Sequence, residues 1–275
     1  MSRPLLAVDG DSFAHRAYHA MPKTTRSAAG RPAGALTGFG MMLLRLWETE
    51  RPAAVVVGWD SLGSPTYRNE EFPSYQSGRE FDADLLEQLD LLPELPRALG
   101  FASAKAPGYE ADDFLAAAAA CTEGPVLVAT SDRDAYQLAS DRVTILQPTK
   151  AGEPPARIGP AGVRERYGID PEQVPDFIAL RGDPSDKLPG ARGVGAKRAA
   201  DVLAQYGSLE AALEAGRFSA EADALRLYRR LATLDATAPL PPLDGQAPTF
   251  AEGAAFAREL GLNRLAERIE SLSTS

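Results

Sequence analysis

Three acidic residues lie close together in the segment Pro107–Leu115, which reads PGYEADDFL. Glu110, Asp112 and Asp113 stand there directly before an alanine-rich run. On a helix, residues three apart share one face, so Glu110 and Asp113 would project together with Asp112 beside them. Carboxylates in a first helical turn also cap free backbone N–H groups and offset the helix dipole. This segment alone therefore fits either a capped helix start or a cluster of metal ligands.

Further acids follow predicted buried strands. Short apolar runs predict strands at residues 5–8, 53–58, 101–104, 125–129 and 143–146. Helices predicted between them lie at residues 34–50, 84–99 and 111–121, and this alternation indicates βαβ units with a mainly parallel sheet. The acids that follow strand ends are Asp9, Asp60, Asp132 and Asp134. In such sheets, ligands bind outside the carboxyl ends of the strands, so we expect these side chains to meet.

Each of these acids taken singly is typical of an N-cap for the following helix. Four of them together with the Glu110 segment fit a metal-ligand cluster better. The set offers only oxygen ligands, with no His or Cys companion, which favours Mg²⁺ or Mn²⁺ over zinc. The sequence therefore predicts a site for hard divalent cations.

After residue 158 the strand pattern stops. Helices are predicted at residues 160–167, 171–180, 196–205, 209–215, 220–232 and 254–272. We therefore divide the chain into an α/β core of residues 1–158, with an irregular loop at 61–80, and a helical part of residues 159–275.

A glycine-rich turn joins two of the predicted helices, between residues 182 and 198. Gly190 and Gly195 have the spacing of a nucleotide-binding P-loop, but Ala196 stands where that motif needs lysine, so we reject that interpretation. The N–H groups of such a turn can hold a DNA phosphate without reading bases. Arg192, Lys197 and Arg198 surround it. The alternative is a simple helical hairpin with a glycine cap.

Composition sets the broad class. The 275 residues are 44% hydrophobic and 24% charged, as in soluble globular proteins. We find no apolar run near the roughly 20 residues needed to span a membrane and no signal peptide. The single Cys121 suits a reducing cytosol, so we expect a cytoplasmic protein.

The net charge of −9 argues against a nucleic-acid partner at first sight. However, the chain has 38 acids and 29 bases, and setting aside the nine acids of the candidate pocket leaves equal numbers. Divalent ions would cancel much of the remaining negative charge. DNA binding is therefore compatible with the composition, provided that it uses local basic patches.

At these motifs the chain resembles the 5′-nuclease family of bacteria and phages, which comprises flap endonucleases, 5′→3′ exonucleases and the N-terminal domain of DNA polymerase I. The resemblance covers residues 4–235 in order. It is carried by Val8-Asp9-Gly10 with Arg16 and His19, Gly58-Trp59-Asp60, Pro107–Asp113, Thr130–Asp134, Gly182–Asp186 and Leu188–Ala199.

The resemblance implies a PIN-like α/β core with a mainly parallel sheet and a helical helix–three-turn–helix subdomain, at about residues 171–206. It implies a first metal held by Asp9, Asp60, Glu110 and Asp112. A second metal would be held by Asp132, Asp134 and Asp183, with Asp113 and Asp186 near them. Two or more Mg²⁺ or Mn²⁺ ions and a K⁺ ion at the helix–three-turn–helix are the implied cofactors.

The resemblance also implies DNA contacts. The expected partner is DNA with a 5′ flap, a nick or a 5′-ended duplex. We expect a monomer that does not associate with a membrane. The residues implied to bind it are Arg16, Arg68, Tyr75, Gln76, Arg79, Lys187, Gly190, Arg192, Gly193, Gly195, Lys197 and Arg198. Of these, Arg68 and Arg79 would also assist catalysis.

Two positions depart from the family pattern. Gln76 stands where the family has a lysine that seats the scissile phosphate, which bears on turnover more than on the reaction class. Lys187 replaces the usual asparagine and would supply a compensating charge or a DNA contact.

We expect a two-metal hydrolase that yields a 5′-phosphate and a 3′-hydroxyl. No polymerase sequence follows, so a stand-alone nuclease is predicted. The alternatives are a DNA-binding paralogue with weakened catalysis and a phosphatase that uses Asp132 and Asp134. Flap and exonuclease activities are not distinguished.

Overall fold

The structure, a computed structural model, describes residues 2–61, 63–78, 81–150 and 153–273. Its centre is a six-stranded sheet of order β3-β2-β1-β4-β5-β6. The strands are β1 (Leu5–Asp9), β2 (Ala54–Gly58), β3 (Ala102–Ala104), β4 (Val126–Ala129), β5 (Val143–Gln147) and β6 (Ala156–Ile158). The pairs are parallel except β5–β6, which is antiparallel. The predicted α/β class with a mainly parallel sheet is confirmed, and β6 was not predicted.

The register of the central strands brings their carboxyl ends to one edge. Val8 of β1 lies opposite Val57 of β2 and Ala129 of β4. Every residue of β1 is buried, as expected for a strand covered by helices on both faces. The residues that follow the three strands therefore leave the sheet side by side.

Six helices lie in the described residues of the first half of the chain. They are α1 (Gly10–Ala20), α2 (Gly34–Glu50), α3 (Tyr67–Glu71), α4 (Ala83–Leu89), α5 (Glu94–Ala98) and α6 (Ala111–Cys121). Helix α1 was not predicted, although it begins immediately after β1. The predicted helix 84–99 is in fact two helices, α4 and α5, and Pro93 is the N-cap of the second. The loop predicted to be irregular contains α3.

In the second half, residues 153–273 contain five helices before the last pair. They are α7 (Pro160–Tyr167), α8 (Val174–Arg181), α9 (Ala196–Tyr206), α10 (Leu209–Glu214) and α11 (Ala222–Ala232). A 3₁₀ turn, Pro171–Gln173, precedes α8. These helices share a hydrophobic core with α6 and one face of the sheet, through residues such as Phe114, Phe177 and Leu203.

The predicted last helix 254–272 is also two helices, α12 (Phe250–Glu259) and α13 (Asn263–Ser273). The chain turns between them at Gly261, whose φ of 72° favours glycine. Both pack on the opposite face of the sheet, where α12 contacts α5 and α13 contacts α2. The division at residue 158 stays a prediction, but these two helices pack on the α/β core. In the described ranges no helix is both long and apolar enough to cross a membrane.

Candidate active site

Asp9 joins the ends of two strands. Its Oδ1 accepts a hydrogen bond from the Ser12 backbone N–H at 2.9 Å, which caps α1. Its Oδ2 accepts one from the Thr130 hydroxyl at 2.7 Å, directly after β4. Burial raises the pKa of Asp9 to about 7, and the charges of Asp60 and Asp132 add to the effect. The acid is thus both a helix cap and a buried carboxylate close to two others.

Asp60 connects the end of β2 to the start of α6. Its Oδ1 accepts from the Ala111 backbone N–H at 2.8 Å, and its own N–H donates to Asp11 Oδ2 at 2.7 Å. Asp11 was not among the predicted site residues. It is buried, and burial followed by repulsion from Asp60 raises its pKa well above the usual value. Its position two residues after Asp9, in the first turn of α1, was the available signal.

Glu110 is the N-cap of α6, so the capping interpretation holds for this residue. It also faces the acids: Oε1 accepts from the Thr66 hydroxyl at 3.3 Å and Oε2 from the Tyr75 hydroxyl at 3.1 Å. Burial raises its pKa to about 7, Arg68 opposes that shift, and Asp60 adds to it. Capping and proximity to other acids are therefore compatible in the same side chain.

Asp112 carries a buried acceptor that no described residue satisfies. Its Oδ1 has no hydrogen-bond partner among the described residues. Burial raises its pKa well above the usual value, Arg68 opposes the shift, and Asp113, Glu110 and Asp132 reinforce it. A buried carboxylate oxygen without a partner is costly unless it binds a proton or a cation. This atom therefore fits a metal ligand.

Asp134 and Asp183 extend the group of acids towards the helical half. The Asp134 N–H donates to Asp132 Oδ1 at 2.9 Å. Burial and then repulsion from Asp132, Asp186 and Asp183 raise the pKa of Asp134 well above its usual value. Asp183 follows α8 and accepts from the Ser185 N–H at 2.8 Å and from Arg181 at 3.2 Å.

Arg68 and Asp113 are placed differently from the prediction. The guanidinium donates to both oxygens of Asp113, at 2.8 and 2.7 Å, and only 1% of Arg68 is exposed. Asp113 also accepts from the backbone N–H groups of Glu110 at 3.1 Å and Asp235 at 2.8 Å. Neither side chain lines the cavity described below. In this arrangement the two side chains form a buried ion pair, and the metal, catalytic and DNA-binding roles predicted for them stay predictions.

Tyr75 and Gln76 hold Asp186. The Gln76 amide donates to Asp186 Oδ1 at 2.9 Å, and the Tyr75 hydroxyl lies 3.4 Å from Oδ2. Tyr75 is 3% exposed, so its ring cannot stack on a base in this arrangement. Gln76 does line the cavity. The predicted residue Arg79 lies outside the described residues.

Most of the candidate acids line one cavity of about 1420 Å³. Those that line it are Asp9, Asp11, Asp60, Glu110, Asp112, Asp132, Asp134 and Asp183. The described part of the chain contains no group of three acids close enough to hold one ion. Several carboxylates are turned towards backbone N–H groups instead, as the caps at Asp9 and Asp60 show. The metal sites therefore stay a prediction, which rests on the donor set and on the unsatisfied oxygen of Asp112.

Away from the acids, the wall of the same cavity becomes basic and apolar. Arg16, Arg45 and Lys150 line it, with Met41, Met42 and Phe81 and one further acid, Glu153. Arg16 also donates to the Thr149 carbonyl. Cations beside apolar surface suit a strand whose phosphates are charged and whose bases are flat and apolar.

The predicted helix, glycine-rich turn and second helix are present as α8, residues 182–195 and α9. Gly190 has φ 73°, and a Cβ there would lie 2.4 Å from the Gly182 nitrogen, so the backbones need glycine to approach. At Gly193 and Gly195 a Cβ would meet no atom within 4 Å. Arg192, Lys197 and Arg198 are exposed around this open turn.

The fold is a parallel α/β core joined to a helical half, with acids from both parts in one cavity. Residues 4–168 match the 5′-3′ exonuclease N-terminal resolvase-like domain, and residues 169–248 match the 5′-3′ exonuclease C-terminal SAM fold. The chain belongs to the 5′-3′ exonuclease family, which confirms the predicted resemblance, fold and enzyme class.

Relatives and solved structures agree with this assignment. The chain is 42% identical over 215 residues to DNA polymerase I of Mycobacterium bovis, covering 76% of this chain and 24% of the polymerase. It is 41% identical over 214 residues to the thermostable enzyme of Thermus aquaticus, covering 76% and 25%. The chain thus spans about a quarter of the length of these curated relatives.

Two solved structures share the fold. The bacteriophage T5 flap endonuclease in a complex with DNA and metal ions has a TM-score of 0.72 at 19% identity, with 99% of this chain and all of that one covered. The catalytic core of Rad2 with DNA substrate has a TM-score of 0.59 at 16% identity, with 98% and 93% covered.

Proposed function

We propose that the protein is a structure-dependent 5′ nuclease that hydrolyses DNA phosphodiesters at 5′ ends and 5′ flaps with two Mg²⁺ or Mn²⁺ ions, in replication and repair. The observation that carries the proposal is the cavity in which acids from β1, β2, β4, α6 and the end of α8 are brought together. Such crowding of buried carboxylates is repulsive unless cations or protons offset it.

Seven acids of the predicted set, together with Asp11, would serve the ions. Asp9, Asp60, Glu110 and Asp112 belong to the first ion and Asp132, Asp134 and Asp183 to the second. Asp11 would orient Asp60 through the 2.7 Å hydrogen bond to its N–H. Bound divalent ions supply an activated water and stabilise the leaving oxygen.

The chain's own residues supply the path for DNA. Arg16, Arg45 and Lys150 would attract the strand that enters the cavity. The exposed turn at Gly193 and Gly195 would hold a phosphate of the duplex by its N–H groups, with a K⁺ ion at the same turn. We further propose that the protein acts as a monomer in the cytoplasm.

The complexes of the T5 enzyme and Rad2 with DNA support this proposal as instances of the same fold engaging DNA. The polymerase relatives support it because their matching segments belong to the same nuclease family.

A 5′-flap duplex labelled at its 5′ end tests the proposal. We expect cleavage with Mg²⁺ or Mn²⁺ and none with EDTA. The length of the labelled product separates removal of a whole flap from stepwise release of nucleotides. Failure of both metals at high protein concentration would contradict the proposal, and phosphate release from a small ester would indicate a phosphatase instead.

A DNA-binding paralogue with weakened catalysis is the second candidate. Gln76 favours it, because an amide lines the cavity where the family has a cation. Tight binding of the flap without cleavage in either metal would identify it.

A further inference from the structure

Lys187 occupies an unfavourable backbone conformation in the turn before α9. Its φ is 60°, in the left-handed region where a side chain with a Cβ is crowded. The residue is exposed, and its Nζ donates to the Ser77 hydroxyl at 3.0 Å. A lysine of the helical half thus places its ammonium on a loop of the α/β core.

The loop that Lys187 contacts opens into the acid-lined cavity at Gln76. The Gln76 backbone N–H donates to the Asp186 carbonyl at 3.4 Å, and its amide donates to the Asp186 carboxylate at 2.9 Å. Lys187 follows Asp186 directly, and its Nζ lies 3.7 Å from where a Cβ on Gly78 would be. Residues 76–78 and 186–187 are therefore joined into one unit, which we call the rim, and of these residues Gln76 lines the cavity.

The described part of this loop, residues 63–78, carries Arg68 as its only cationic side chain. Arg79, which was also predicted to bind DNA, follows in the sequence and lies outside the described residues. Arg68 is buried and bound to Asp113, so it cannot turn to a phosphate without leaving that carboxylate unpaired. Gln76 offers a hydrogen bond but no charge, and a charge-assisted bond is about twice as strong as a neutral one.

We propose that Lys187 is a phosphate-binding cation of this rim, supplied from the helical half in place of a cation at position 76. The inference rests on the proposed function, because the phosphate belongs to the DNA strand that enters the nuclease site. When DNA binds, the Lys187 ammonium releases its hydrogen bond to the Ser77 hydroxyl and donates to a phosphate oxygen of the strand. The flexible four-carbon stem allows this exchange without a backbone movement.

The experiment compares five variants with the unmodified protein, and a sixth serves as control. Lys187→Met removes the charge and keeps the length, whereas Lys187→Arg keeps the charge. Lys187→Asn also removes the charge but tolerates positive φ, so it separates charge from backbone strain. Gln76→Lys is made alone and together with Lys187→Met. Arg97→Met is the matched control, since Arg97 is an exposed cation of α5 paired with Glu94.

Two quantities are measured: the single-turnover rate on a 5′-flap duplex with Mg²⁺, and the salt dependence of binding in Ca²⁺. We expect Lys187→Met and Lys187→Asn to lower the rate by about tenfold. Each should also reduce the slope of log K against log salt by about one, the value for one lost phosphate contact. Lys187→Arg and the double variant should recover both quantities, while Arg97→Met should change them little, and Gln76→Lys alone is the reference against which the double variant is read.

Recovery by a lysine at position 76 is the readout that a purely structural role would not produce. An unchanged rate and salt slope in Lys187→Met would overturn the inference while the nuclease function stands. Failure of Gln76→Lys to rescue would overturn it as well. If the unmodified protein binds the flap but does not cleave it, the proposed function fails, and the salt slopes still decide the role of Lys187. Absence of any DNA binding would overturn both proposals.

Discussion

Arg68 and Asp113 form a buried bidentate ion pair, with N–O distances of 2.8 and 2.7 Å, that joins α3, in the loop that reaches the cavity at Gln76, to the first turn of α6. The same guanidinium donates to the Leu231 carbonyl at 3.0 Å, and the same carboxylate accepts from the Asp235 N–H at 2.8 Å. The pair therefore links three parts of the chain: the loop, α6 and the end of α11. Glu110 lies in the same turn as Asp113, so its orientation depends on this link.

Breaking this pair should cost stability. Arg68→Met leaves Asp113 buried without its cation, and we expect a loss of about 3–5 kcal/mol in the free energy of unfolding, measured with urea. The double variant Arg68→Met/Asp113→Leu should be less destabilised than Arg68→Met alone, because no charge stays unpaired. Arg97→Met, which breaks an exposed pair, should cost at most about 1 kcal/mol. A small loss in Arg68→Met would show that the loop is not fastened here.

Removing the charge of Asp112 should lower activity without lowering stability. We expect Asp112→Asn to lower flap cleavage by at least about 100-fold, since even groups behind the metal ligands contribute 10–100-fold. Its thermal unfolding temperature without metal should stay equal or rise, because a buried charge among like charges is removed. Asp132→Asn should behave in the same way. A clear loss of metal-free stability would mean that these acids act as structural caps.

Stability without metal should fall as pH rises. Asp9 and Glu110 have usual pKa values of 3.8 and 4.5, and both are raised to about 7 in the fold. Between these limits the native state binds more protons than the unfolded chain, so the free energy of unfolding decreases with pH. We expect this decline between about pH 4 and 7 in urea titrations with EDTA. Added Mg²⁺ should stabilise the protein more at pH 8 than at pH 5, because it binds the deprotonated acids. A flat profile with EDTA would contradict the crowding of buried acids.

Asp11, which was not predicted from the sequence, should tune metal affinity. Asp11→Asn retains an oxygen that can accept from the Asp60 N–H but removes a charge beside Asp60. We expect the Mg²⁺ concentration for half-maximal cleavage to rise by about 10–100-fold. The maximal rate should change less. An unaltered Mg²⁺ requirement would place Asp11 outside the metal site.

The glycine-rich turn should contribute to duplex binding through its backbone. Gly193 has φ 71°, and a Cβ there would point into open space. Asp and Asn are similar in size, and both tolerate this backbone conformation. We expect Gly193→Asp to weaken duplex binding by about tenfold more than Gly193→Asn, since only Asp repels a phosphate. Cleavage of single strands should suffer less, and equal losses on duplex and single strand would argue against a separate duplex-binding turn.

The sequence alone determined the family, the parallel sheet and most of the acids in the cavity. This was achievable because parallel strands end at one edge, so the positions of Asp9, Asp60 and Asp132 after apolar runs already imply that they meet. Helix boundaries were less accurate where local signals conflicted. The apolar residues of 84–99 have helical spacing along the whole run, so one helix was predicted. In the structure the run is broken near Pro93 into α4 and α5.

Only the tertiary structure decided which side chains face the cavity. Asp112 and Asp113 are adjacent in sequence, but the helix turns their side chains in different directions. Asp112 keeps one oxygen without a partner, whereas the Asp113 carboxylate accepts hydrogen bonds from Arg68 and from two backbone N–H groups. Arg68 and Lys187 are both cations near the site, and the fold buries the first and exposes the second on the rim. Spacing along the chain decides which residues share an element, but partners distant in the chain, here from α11 and the turn before α9, determine whether a charge is paired or available.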